Sequence, residues 1–364
     1  MSANNSLMRS VSTTALLGSV ALGGMIIGQS RPAHADPDSC TIVGNVATCT
    51  GDQSDGILSN RDFDPDSVDT LNVNNLTSGI TPASSEHGIN FLTDNPLGVT
   101  INADTTGTSG ITTTGNDAKG IRARVVGDGV VNINSTGDVS TAGDYSYGIY
   151  GNSEGVGDIS ITSTGSVVTT GVDSDGIYAR NFDIGDVNIT SEGRISTTGD
   201  DAEGIHVQQF TDGNVNITSL GDVKTIGDGA EAIRADRSGD GNSTVNSDGN
   251  ITTEGDDSYG IYAYSNGEGN NTITSSGAID TSGDDAIGIY VRGFGEGDII
   301  ITSTGDISTT GDDAEGIYAQ NNDGGDVNVT STGNISTAAE GAEGIRALGY
   351  GGDVSVNSYG DIST

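Results

Sequence analysis

Nine positions spaced 28 residues apart, Arg122, Tyr150, Tyr178, His206, Arg234, Tyr262, Tyr290, Tyr318 and Arg346, hold the side chains of this chain best suited to binding. Flat phenol and guanidinium groups in a row suit sugar rings or extended peptides, because aromatic faces attract cations and apolar CH groups. The competing reading is that tyrosines in register stack on one another and stiffen the strand that carries them. A second row is acidic: Asp200-Asp201, Asp256-Asp257, Asp284-Asp285 and Asp312-Asp313, followed by Glu203, Glu231, Glu315 and Glu343 in the same phase. Like charges about 5 Å apart repel by on the order of 0.8 kcal/mol even in water, so calcium would relieve them. The pattern is not the calcium-binding Gly-Gly-x-Gly-x-Asp nonapeptide, and a solvated, solubilising face is the expectation.

Catalysis is not expected. The three histidines, His34, His87 and His206, fall in unrelated phases. Neither a His-Glu-x-x-His site nor a phosphate loop is present, and no nucleophile elbow is anticipated. A polysaccharide-degrading enzyme needs two carboxylates at a fixed separation, but acids recur in every unit and no pair is singled out. Outward Asn/Thr pairs (Asn188 and Thr190, Asn216 and Thr218, Thr272 and Thr274) form a polar lattice of the ice-binding kind. Ser160 and Ile300 interrupt it, and the ordinary alternative is a solvated strand face. No resident cofactor is expected.

These rows exist because the chain is a repeat. A Gly-Ile or Ala-Ile pair returns every 28 residues from Gly120 to Gly344, with earlier copies at Gly56 and Gly88 in slightly longer units. Within a unit, Gly-Ile-x-Ala, Val-x-Ile-Thr and Gly-x-Ile-Ser-Thr alternate apolar and polar residues over four or five positions, the signature of short half-buried strands, and no window has helical apolar spacing. Repeats of this length stack as a solenoid. The fold expected is all-β, a parallel β-helix with three short strands per 28-residue coil, each strand pairing with its counterpart about 4.8 Å away.

In such a stack the inward columns can be read off. Ile121 through Ile345 form one, Ile133 through Val329 a second, and Val139 through Ile335 a third. Two glycine columns, Gly137 to Gly333 and Gly129 to Gly325, mark corners needing positive φ. At the first inward position of the middle strand, Ser243 and Asn271 replace the usual Val or Ile, which predicts a locally soft or bulged strand or, on a sharper reading, a cleft or hinge. A coil with four buried aliphatics cannot offset the entropy of ordering 28 residues, so stability must come from its neighbours.

Composition agrees with a thin-cored rod: 51 acidic against 13 basic residues, 58 glycines and no tryptophan. Residues 1–35 read as a secretory signal: Arg9, then an apolar run from Ala15 to Ile27, then a small-x-small cleavage site at Ala33 and Ala35. Cleavage removes two arginines and no acid, moving the formal charge from −38 to −40. That polyanion disfavours nucleic acid and anionic lipid as partners. Export makes a Cys40–Cys49 disulfide the expectation, stapling a hairpin that turns at Gly44-Asn45 and caps the rod within residues 36–55. Residues 56–364 are then the rod, of eleven units with the last one incomplete, and the stop within a strand is what a fragment of a longer chain would show.

The signal ending at Ala33-His34-Ala35, the Cys40…Cys49 hairpin followed by Thr50-Gly-Asp-Gln-Ser-Asp-Gly-Ile57, and the recurring Ser303-to-Ile317 pattern together resemble the passenger domain of an autotransporter, the type V secretion proteins of Gram-negative bacteria. The resemblance implies a right-handed β-helix exported through the Sec pathway, displayed at the cell surface or released, and serving adhesion to a glycan or protein of a host or neighbouring cell. It also implies an outer-membrane translocator barrel, of which these 364 residues hold no strands.

Overall fold

The computed structural model describes residues 38–364; the signal segment with Ala33 and Ala35 lies outside the described residues. Each coil contributes three strands, for example Ile205–Gln209, Val215–Ser219 and Val223–Ile226. Each of these pairs in parallel with the strand one unit on, Ile205 with Ile233, Val215 with Ser243 and Val223 with Ile251. Three parallel sheets result, of eleven, thirteen and ten strands; the first holds the Gly-Ile strands, the second the middle strands and the third the Ile-Ser-Thr strands. The chain is a β-solenoid of about eleven coils, and among the described residues there is no helix.

The start of the second sheet is a hairpin of β1 (Thr41–Val43) and β2 (Val46–Gly51), the one antiparallel pair. Gly44 takes up φ +62° in its turn, and Cys40 and Cys49 are joined. β2 pairs in parallel with the strand Thr70–Leu76, so the hairpin covers what would otherwise be that sheet's open edge.

Columns Ile121 to Ile317, Ile133 to Val329 and Val139 to Ile335 are fully buried, as the alternation requires, while Ile345 in the last coil is partly buried. Beside them lies a second, polar interior. Thr141, Thr169, Thr197, Thr225 and Thr253 point inward, and each hydroxyl donates to the carbonyl five residues on. A threonine here fills an aliphatic-sized space with its methyl while its hydroxyl satisfies a corner carbonyl that no ladder reaches.

Close packing, more than φ, explains one glycine column. Gly137 has φ +103°, but Gly165, Gly193, Gly221 and Gly249 lie outside the left-handed region. A Cβ on Gly249 would stand 2.1 Å from the carbonyl oxygen of Gly221 in the preceding coil. The corners approach so closely that only a hydrogen fits.

The Ser243/Asn271 break is not bulged. Both residues are buried in unbroken register between Val215 and Ile299. Their cause is Arg237, the fifth residue of its strand, which is fully buried where other coils place Ser, Asn or Gln. Its Nη1 donates to the carbonyls of Gly239 and Glu268 (3.1 Å for the latter), and its Nε lies 3.4 Å from Ser243 Oγ. The small Ser243 makes room for the guanidinium, and Asn271 donates to Ser265 Oγ at 2.6 Å in the next coil. Gln209, the same position one coil earlier, serves its turn alike, with Nε2 donating to the carbonyls of Asp183, Thr211 and Asp212.

Two stability predictions follow from these contacts. Gly249→Ala should lose more than about 3 kcal/mol in urea unfolding, since backbone must move, whereas Gly151→Ala, in a column where Ala123 and Ala179 already stand, should stay within about 1 kcal/mol. Arg237→Ala should cost about 2–4 kcal/mol by leaving a void and unpaired carbonyls, and Arg237→Gln less than half of that because the shorter amide reaches the turn carbonyls.

Candidate functional site

The outer face of the first sheet is built by an interlock between coils. The residue before each Gly-Ile pair leans onto the residue after the pair in the next coil. Tyr147 meets Tyr178 with ring centroids 5.0 Å apart, and Tyr259 meets Tyr290 at 5.2 Å. Asp175 meets His206 Nδ1 at 3.1 Å, Glu203 meets Arg234 Nη1 at 3.1 Å, and Glu315 meets Arg346 Nη1 at 3.5 Å. In these five contacts aromatic lies on aromatic and acid on cation. Asp175, Glu203, Glu231 and Glu315 are buried by this overlap, which corrects the expectation of a solvated row for the glutamates; Glu343 alone of the four named stays exposed. The paired aspartates do face solvent.

At the centre the buried charges converge. His206, stacked on Tyr178 at 4.6 Å, holds Asp175 with Nδ1 and has Asp236 Oδ2 3.8 Å from Nε2. Arg234 donates from Nε to Asp236 at 2.8 Å and has Glu231 Oε2 at 3.6 Å. Burial pushes the Glu203 carboxyl far above its usual range, reinforced by the negative charge of Asp175 beside it. Glu231 is raised by burial against the pull of Arg234. For His206 burial favours the neutral ring, yet Asp175, hydrogen-bonded at Nδ1, and Asp236 beyond Nε2 outweigh it and raise the pKa. Asp236, though buried, is lowered by His206 and Arg234. Four acidic side chains thus meet two basic ones over a recess of about 270 Å³ that Tyr147, Asp175, Glu203, His206 and Arg234 help to line. Three of them, Asp175, Glu203 and His206, bring one donor atom each within 4.8 Å of one another, a geometry able to hold a metal ion.

The predicted stripe is therefore continuous but not uniformly open: Tyr178 and His206 are buried, and Tyr150, Arg234, Tyr262, Tyr290 and Tyr318 are half-buried. Tyr262 and Tyr290 stack at 5.3 Å with planes 1° apart, and Tyr290 and Tyr318 at 4.9 Å. Arg234 closes one end over Tyr262 and Arg346 the other over Tyr318. Ring faces are taken by neighbours, so edges and hydroxyls meet solvent. Arg122 at the head of the row lies 3.5 Å from His87 Nε2. A parallel row four residues on stacks Phe182 on Phe210 at 5.0 Å, with Arg180 above Phe182, and is interrupted at Ser238. The interruption leaves a second recess of about 290 Å³ between Phe210, Tyr262 and Tyr264, edged by Gln208, Arg234 and Asp236.

Other sequence candidates resolve into structure. At the acidic corner Asp200, Asp228 and Asp256 each accept through Oδ1 the backbone N–H of the residue one coil on, from Asp228, Asp256 and Asp284 at 3.2, 3.0 and 2.9 Å. In the Asn lattice, Asn216 donates to Asn188 at 2.9 Å. Gly151-Asn-Ser-Glu-Gly155 does spell a nucleophile elbow, contrary to expectation, but Ser153 points into the core and donates to the Gly155 carbonyl. What sequence reasoning missed is the buried acid cluster with Asp175 and Asp236. Its signal was present, since Asp175, Glu203 and Glu231 occupy the phase directly before the Gly-Ile or Ala-Ile pair while their partners His206 and Arg234 directly follow one.

No protein-family model matches the chain, and no curated protein or solved structure matches it either.

His87 heads the interlocked row, and its Nδ1 accepts the backbone N–H of Lys119 at 3.0 Å. Burial, then the charge of Arg122, lower its pKa to about 4. The unfolded chain, with a histidine pKa near 6.5, binds the proton first, so this contribution is complete above about pH 6.5 and fades as pH falls towards 4. Allowing for its partial exposure, the loss should be on the order of 1–2 kcal/mol. Between pH 7 and pH 4.5 the urea midpoint should fall less for His87→Gln than for the native chain; equal pH slopes would contradict it.

Proposed function

We propose that this chain is a surface-displayed or secreted structural rod with an adhesive role, the passenger part of an autotransporter, and not an enzyme. The observation that carries the reading is the outer face of the first sheet, where the recess between Phe210, Tyr262 and Tyr264 is edged by Gln208, Arg234 and Asp236. Planar polar groups beside aromatic walls suit a sugar ring or a peptide strand, and the rod offers them on a rigid lattice that loses little entropy on binding. The Cys40–Cys49 disulfide supports export to an oxidising compartment. The ligand is a glycan or protein of a neighbouring cell, with no nucleic acid involved.

A polysaccharide-degrading role is the second reading, now that Asp175 and Glu203 stand apart from other carboxylates. Donor oxygens of those two come within 4.8 Å of one another, closer than the roughly 5–5.5 Å that a retaining glycosidase leaves around the glycosidic bond. That contact favours the binding reading.

Replacing Tyr262, Tyr290 and Tyr318 together by Ser removes the recess wall and the stack behind it. Retention on a glycan array and on intact cells should be abolished. Unchanged retention with a lowered melting temperature would leave the tyrosines only their stacking role and defeat the adhesive assignment of this face.

A further inference from the structure

We propose that Asp175, Glu203 and His206 form a divalent transition-metal site, with zinc the best-fitting ion. The three come from two successive coils: Asp175 and Glu203 occupy equivalent positions one coil apart, and His206 follows the Ile of Glu203's own coil, one coil on from Asp175. His206 Nδ1 lies 3.1 Å from Asp175 Oδ2 and 3.7 Å from Glu203 Oε1, so one ion can reach all three donors after small rotations. All three side chains are at least nine-tenths buried.

Two independent observations point to a missing ligand. Within this buried group, Nε2 of His206 makes no hydrogen bond, Asp236 Oδ2 standing 3.8 Å away, and Oε2 of Glu231 has only its 3.6 Å ion pair with Arg234. Acids also outnumber bases here: Asp175, Glu203, Glu231 and Asp236 face only Arg234 and His206. A divalent cation corrects that excess where solvent is largely kept away. Open space of about 270 Å³ in front of the cluster leaves room for water to complete the coordination shell.

The donor set selects the ion. An imidazole nitrogen with two carboxylates suits zinc and its first-row neighbours, whereas calcium and magnesium take oxygen donors alone. Neither His206 Nε2 nor Glu231 Oε2 belongs to the exposed aspartate corners, whose carboxylates already accept backbone N–H groups. The outer partners are in place as well, since Asp236 faces the far nitrogen of His206 and Arg234 holds Glu203.

The test is calorimetric titration of the chelator-treated full chain with zinc and, separately, with calcium. One zinc ion should bind in the micromolar range or tighter, and calcium at least 100-fold more weakly. His206→Gln and Asp175→Asn should each weaken zinc at least 10-fold with the β-sheet circular dichroism unchanged, while Asp284→Asn at the exposed corner should leave it as it was. Should either cluster variant not fold, histidine-ring NMR on the native chain decides: the His206 signals move on zinc addition and those of His87 stay. No saturable zinc binding at 100 µM, binding that survives both cluster substitutions, a preference for calcium, or unmoved His206 signals would each overturn the assignment.

Discussion

The spacing between successive coils governs everything else in this molecule. Because each residue sits directly above its equivalent 28 positions earlier, every side chain must tolerate a near copy of itself at strand separation. Aliphatic residues do so by packing, and threonines by sending each hydroxyl to a carbonyl in their own coil. Aspartates and asparagines do so by turning a potential repulsion into a bond, each accepting the amide of its successor, as in the run Asp186, Asn214, Asn242 and Asn270. The large acidic excess therefore has a structural office besides solubility. Corner glycines are the limiting case, where even a methyl group would collide with the coil below.

Most of this was legible because columns repeat. The Gly-Ile phase placed the first sheet, the alternation placed the aliphatic ladders, and Cys40 and Cys49 flanking Gly44-Asn45 placed the hairpin. The misreadings share one origin. Alternation tells which face a residue takes but not what its neighbours do there, so Glu203 and Glu231 looked solvated although the overlapping rows of Tyr, His and Arg bury them. Arg237 escaped notice because the fifth strand position is filled elsewhere by Ser, Asn, Gln or Gly, and a long cation in that set reads as an exposed one. Ser243 and Asn271 were seen as an anomaly before their cause, an arginine six residues upstream of Ser243, was visible.

Chemistry collects where columns stop being uniform. Through most of the rod the outer row of the first sheet is tyrosine on tyrosine, which stiffens and shields. Between Asp175 and Asp236 that row becomes acid, histidine and arginine, and the phenylalanine row beside it is interrupted at Ser238. Both recesses lie at this one discontinuity. A repeat protein has few other means of making one place differ from the rest, since its backbone is the same in every turn.

The coil-to-coil interlock bears on how such a chain can lengthen or shorten over generations. Excision of residues 206–233 would rejoin the backbone in phase and set Arg234 against Asp175, still a base upon an acid. Loss of residues 178–205 would instead bring His206 beneath Tyr147, a contact of flat rings that the fold already uses elsewhere. Turns such as these can thus be lost by recombination between similar stretches of the gene with a favourable contact re-formed at the join, provided the exchange respects the step from one Gly-Ile pair to the next.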